Sequence, residues 1–143
     1  MYQKIIVVGN LGSDPEMRYM PDGTAVTNFS LATNRRWTDG ATGQPRDETT
    51  WFRVSVWRKQ AEVANQYLSK GRKVLVEGRL RPDPVSGGPR TFTRQDGTVG
   101  ASYEITADSI QFLGGREEGG GSYEGGGDEY QGAPAAEEDD IPF

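Results

Sequence analysis

The chain has 143 residues, room for one domain and little more, and a net charge of −5. It contains neither cysteine nor histidine, which excludes disulfides, thiolate and imidazole metal sites, and the Cys–His and Ser–His–Asp routes to nucleophilic catalysis. The charge is divided: residues 1–115 hold fifteen Lys/Arg against twelve Asp/Glu, a surplus of +3, whereas 116–143 hold one Arg against nine Asp/Glu, giving −8. A mildly basic body with an acidic extension is a common layout of nucleic-acid binders.

Taken in chain order, period-two patterns dominate. Lys4–Gly9 is a β-branched run. Val26 to Thr33 alternates Phe29 and Leu31 with Asn28 and Ser30. Thr50 to Trp57 is the third strand. Gln60–Ser69 then switches to helical spacing through Ala61, Ala64 and Leu68, with Gly71 where a C-terminal cap is expected. Lys73 to Arg81 and Tyr103 to Phe112 are the fourth and fifth strands. Two stretches do not fit as strands: Trp37–Asp47, with Asp39-Gly40, Gly43 and Pro45, and Pro82–Gly100, with three prolines. Both are expected to be loops. Five strands with one helix between the third and fourth is the order of the oligonucleotide-binding (OB) fold, an all-β, five-stranded Greek-key barrel. The expected domain is residues 1–113. A disordered Gly-rich linker at 114–136 and an acidic terminal peptide at 137–143 follow, because such a composition buries too little apolar surface to offset its ordering entropy. The apolar run Ile5–Val8 is too short for a signal-peptide core or a membrane span, so the expected location is the cytoplasm, with the nucleoid.

Strand three carries the chemistry. Alternation puts Phe52, Val54 and Val56 on a core face and Trp51, Arg53, Ser55 and Trp57 on the other. Two Trp flanking an Arg on a solvent face suit a ligand with flat, apolar faces and negative charge: bases stack on the indoles and the guanidinium meets phosphate. The alternative is that these Trp cover a second core or a subunit contact. Trp37 follows Arg35-Arg36. Strand parity would point it inward, but the strand is expected to leave the barrel near Asn34 and free it to sit at the rim. Arg46, Lys59, Lys70, Lys73, Arg79, Arg81, Arg90 and Arg94, spread over strands and loops, add cations that neutralise phosphate without reading sequence. The C-terminal Asp139-Asp140-Ile141-Pro142-Phe143 gains nothing for folding and suits a basic, apolar pocket on a partner protein. No catalytic constellation stands out, and neither a metal nor a cofactor is implied.

These residues resemble the bacterial single-stranded DNA-binding protein family. The resemblance rests on Val7-Val8-Gly9-Asn10-Leu11-Gly12 with Asp14-Pro15-Glu16, on Phe29-Ser30-Leu31-Ala32-Thr33-Asn34, on Trp51-Phe52-Arg53-Val54, on Tyr67-Leu68-Ser69-Lys70-Gly71, on Val76-Glu77-Gly78-Arg79-Leu80, and on the Asp-Asp-Ile-Pro-Phe end. It implies a homotetramer around which single-stranded DNA wraps without strong sequence preference. It also implies stacking at Trp37, Trp51 and Trp57, with Phe92 the candidate for a fourth stacking position, and cations at Arg53, Lys59, Lys70 and Arg81. The terminal motif would recruit DNA replication, recombination and repair proteins. An RNA-binding barrel and a pure interaction adaptor are the rival readings.

Overall fold

The computed structural model describes residues 1–114; the acidic terminal peptide and all but the first residue of the expected linker lie outside the described residues. The elements are β1 (Ile5–Leu11), β2 (Glu16–Tyr19), β3 (Ala25–Thr38), β4 (Pro45–Trp57), α1 (Lys59–Tyr67), β5 (Lys73–Leu80), β6 (Arg90–Thr93) and β7 (Val99–Leu113). The expected five strands correspond to β1, β3, β4, β5 and β7, and they close a barrel. β3 pairs antiparallel with β4, β4 runs parallel to β7, β7 pairs with β5, β5 pairs with β1, and β1 returns to β3 through Asn10↔Ala32 and Leu11↔Leu31. This is the OB fold, with β2 added beside β3 and β6 folded back on β7.

Alternation fills the barrel. Val7, Leu11, Phe29, Leu31, Val54, Val56, Val74, Val76 and Ile105 are buried in one cluster, joined by Ala64 of α1 and by Leu68 just after it. Thr27, fully buried on β3, donates its hydroxyl to the Ala61 carbonyl at 2.6 Å and ties the helix to the barrel. Phe52 is only partly buried, at the edge of this core, with its ring tilted against Tyr103 at 5.9 Å between centroids. Closure requires β1 and β3 to cross closely at Gly9, where a Cβ would collide with the Ala32 carbonyl oxygen.

Three expectations are corrected. The stretches 37–47 and 82–100 are loop only in part: β3 and β4 remain paired out to Thr38↔Pro45, leaving 39–44 as the turn between them, and β6 with the start of β7 forms a second hairpin. Both hairpins project past the barrel, and with both faces wet they need no apolar alternation. Pairing is also unbroken beyond Asn34, so Trp37 keeps the parity of Phe29 and Leu31 rather than escaping it; it is exposed because the ribbon outruns the core. Finally, α1 ends at an extended Leu68, and Gly71, at φ +85°, turns the chain back toward β5 instead of capping the helix.

Replacing Gly9 by Ala is expected to destabilise the fold by about 1–3 kcal/mol, because backbone rather than a flexible side chain must move; thermal unfolding of the variant measures it.

Candidate nucleic-acid interface

The outward face of β4 carries Trp51, Arg53, Ser55 and Trp57, which span about 20 Å at strand rise. Cross-strand pairing sets what lies beside each. Arg53 is opposite Ser30 on β3 and Glu104 on β7, and Ser55 is opposite Asn28 and Thr106. On the far side of β7, Thr106 pairs with Arg79, and the Arg81 N–H bonds the Glu104 carbonyl at 2.8 Å. Arg53 and Arg81 therefore flank β7 from two sides, with Ser55 and Arg79 one step further along. Ser55 is held by its hydroxyl donating to Asn28 Oδ1 at 2.6 Å.

A groove runs over this face. Its first part is lined by Trp51, Arg53, Phe92 and Ser30; a second part shares Arg53 and Phe92 and adds Arg18, Arg81 and Arg90. Trp51 is 54% exposed and Phe92 47%. Each ring rests on a glycine: a Cβ at Gly12 would strike the Trp51 indole, and one at Gly100, which pairs with Phe92 across the second hairpin, would strike the Phe92 ring. The Arg94 guanidinium lies 5.4 Å from the centre of the Phe92 ring. The groove thus gathers two aromatic faces and four arginines, Arg18, Arg53, Arg81 and Arg90, where they can stack on bases and meet phosphates.

The remaining residues of the sequence-based site fall into other places. Trp57, half-buried, and Lys59 line a shallow depression with Arg58 and Arg79 further along the same face. Trp37 and Arg35 share the opposite face of the β3–β4 ribbon with Arg46, the cross-strand partner of Trp37; Arg35 stacks over the Trp37 ring at 5.0 Å. Lys70 is exposed, and its backbone N–H bonds the carboxylate of Asp14, which lines the groove. Arg18 escaped selection, and Arg90 was readable only as one of eight scattered cations. Arg18 lies in the short β2, whose exposed residues carry no alternation, and Arg90 opens a strand hidden among prolines and glycines.

The loops around the groove are set by local hydrogen bonds. Asp22, Asp39, Asp83 and Asp96 each sit in a turn and each has its carboxyl held below the usual range. For Asp39 the main cause is the Ala41 N–H, which donates to Oδ1 at 2.9 Å; Arg46 adds an ion pair at 3.3 Å to Oδ2.

Residues 2–113 match the model of the single-strand binding protein family. The chain belongs to this family. Two proteins named "Single-stranded DNA-binding protein", from Neisseria meningitidis serogroups A and B, are each 45% identical to it over 123 residues. These alignments cover 85% of this chain and 66% of theirs, so the chain spans about two thirds of the length of those relatives. A solved structure described as a Plasmodium falciparum SSB complex with ssDNA matches with a TM-score of 0.65 and 28% identity, over 80% of this chain and 97% of that one.

Two outcomes test this single-strand binding domain without any ligand. Gly12→Val should push the Trp51 ring off its seat. With Trp37 and Trp57 replaced by Phe, the remaining emission should shift to the red and quench more readily with iodide. Asp39 has a folded-state pKa below its unfolded value, so its contribution to the hairpin tip is complete above the unfolded pKa and is lost as pH falls through the folded one. Acid should therefore deprotect the Ala41 amide before the barrel amides, as read by NMR.

Proposed function

We propose that this protein binds single-stranded DNA without strong sequence preference. The observation that carries the reading is the line Trp51–Arg53–Ser55–Trp57 on the outward face of β4, exposed at Trp51 and Arg53, with Phe92 and three further arginines closing a groove over its first half. Each aromatic stacks on any base, for about 1–3 kcal/mol per base. The arginines neutralise phosphates and release counterions, which makes affinity fall with salt. A duplex hides its base faces from such a groove, so stacking selects single strands. The likeness to Neisseria proteins bearing that name, and to a structure solved with ssDNA, supports the same ligand. Trp37, Trp51, Trp57 and Phe92 are assigned to stacking, and Arg35, Arg46, Arg53, Lys59, Lys70 and Arg81 to phosphate, now joined by Arg18 and Arg90.

The assembly we infer is a homotetramer. β1 pairs with β3 only at Asn10 and Leu11, so its edge from Ile5 to Gly9 has no strand partner among the described residues. Ile6 and Val8 are exposed beside it. An open edge with apolar neighbours favours pairing with a second copy. The terminal Asp139-Asp140-Ile141-Pro142-Phe143 is assigned to recruiting proteins of replication, recombination and repair. The role is one of binding, not catalysis: protection of exposed strands and recruitment in the cytoplasm.

The test is titration of intrinsic Trp fluorescence with oligo-dT at two salt concentrations. Oligo-dT should quench strongly and duplex should not, and Trp51→Ala should weaken binding at least tenfold, about 1.4 kcal/mol. A change below twofold would remove Trp51 from the site; no quenching in the parent protein would favour the adaptor reading.

A further inference from the structure

Arg58 joins β4 to α1 with φ +62° and ψ −135°, and it is the one non-glycine residue of positive φ among the described residues. That region is strained for any residue bearing a Cβ and is ordinarily occupied by glycine. The surroundings enforce it. The Arg58 N–H bonds the Ala25 carbonyl at 2.8 Å, and its own carbonyl accepts the Ala61 N–H at 3.0 Å. The chain can thus leave the sheet and enter the helix only through this bend. Glycine would make the same bend without strain, so the arginine side chain is not there for the turn.

It does nothing for packing either. Arg58 is exposed and makes no side-chain hydrogen bond or ion pair among the described residues. Arg58 lines the depression together with Trp57, Lys59 and Arg79. Two carboxylates share that depression, Asp22, whose charge also acts on Arg58 through space, and Asp108. Asp22 accepts the Thr24 N–H at 2.9 Å, and Asp108 is paired with Arg79 at 3.5 Å. The two cations beside Trp57 that make no ion pair or side-chain hydrogen bond among the described residues are Arg58 and Lys59, both solvent-facing, at the end of the β4 face that begins with Trp51.

We propose that Arg58 is a phosphate-binding residue, held in a glycine-like backbone conformation so that its guanidinium carries the polynucleotide path past Trp57 onto the start of α1. The inference rests on the single-strand binding reading above and extends it to a residue outside the alternating face.

Strain and charge can be separated by substitution. Arg58→Gly removes both, Arg58→Ala removes the charge and keeps the strain, and Arg58→Lys keeps both. Affinity of the full chain for oligo-dT would be measured across a salt series, alongside thermal unfolding. Gly and Ala should each lower the slope of log affinity against log salt by about 0.7, the value for one phosphate contact on a single strand. Lys should retain the slope, and only Gly should raise the melting temperature. Unchanged slopes in the Gly and Ala variants, with the parent binding normally, would overturn the role of Arg58 alone. Absence of oligo-dT binding by the parent would overturn the broader reading and this one with it. A Gly variant no more stable than Ala would show that the bend is unstrained and remove the reason for singling out this side chain.

Discussion

The structure depends on the register of β3 against β4. Thirteen residue pairs, from Val26↔Trp57 to Thr38↔Pro45, run without a slip. Strand side chains alternate, so a shift of one residue would turn Trp51, Arg53 and Ser55 into the barrel and Val54 and Val56 out to water. The core and the groove are therefore one constraint seen from two sides: burying Phe29, Leu31, Val54 and Val56 is what presents the Trp–Arg line. The apolar half of the pattern holds the register, because only it gains from burial. The polar half is free to vary in chemistry without moving the strand.

The glycines extend that logic. Gly9 lets β1 cross β3 and close the barrel, and three residues later Gly12 leaves the space into which the Trp51 indole settles. One short stretch of β1 and its exit thus both seals the core and seats a ring on the surface. Gly100 does the same for Phe92 on the second hairpin. Rings laid against backbone lose little side-chain freedom when a flat ligand arrives, since their orientation is already restricted. The turns around them are fixed by aspartate carboxylates accepting nearby N–H groups, so the rim keeps its shape without core packing.

How much of this was legible in the sequence follows from what burial imposes. β1, β3, β4, β5, β7 and α1 each bury a face, so each carries its period in the sequence, and the OB topology followed from their order. The outer halves of β3 and β4 and the whole of β6 bury neither face. Their residues, Arg35, Arg36, Asp47, Glu48 and Thr49 among them, alternate nothing, and only backbone pairing shows that they are strands. The same blindness hid Arg18 and left Arg90 as one of eight scattered cations. Trp51, Arg53 and Trp57 were readable because their apolar neighbours fixed their side of the strand. Arg58 was not, because nothing in a run of Trp-Arg-Lys announces a left-handed bend.

The extended hairpin also bears on the path of the ligand. Unbroken pairing puts Trp37 and Arg35 on the face of the ribbon opposite Trp51 and Arg53. Two faces of one ribbon cannot be covered by a straight polynucleotide. A strand that stacks on Trp51 and also on Trp37 must pass around an edge or the tip of the β3–β4 hairpin, where Arg36 and Arg46 are already exposed. The other end of the line bends too, since beyond Trp57 the chain turns sharply into α1 and the next cations lie around that corner. Positions of aromatics on a single barrel thus favour a curved path over a linear track.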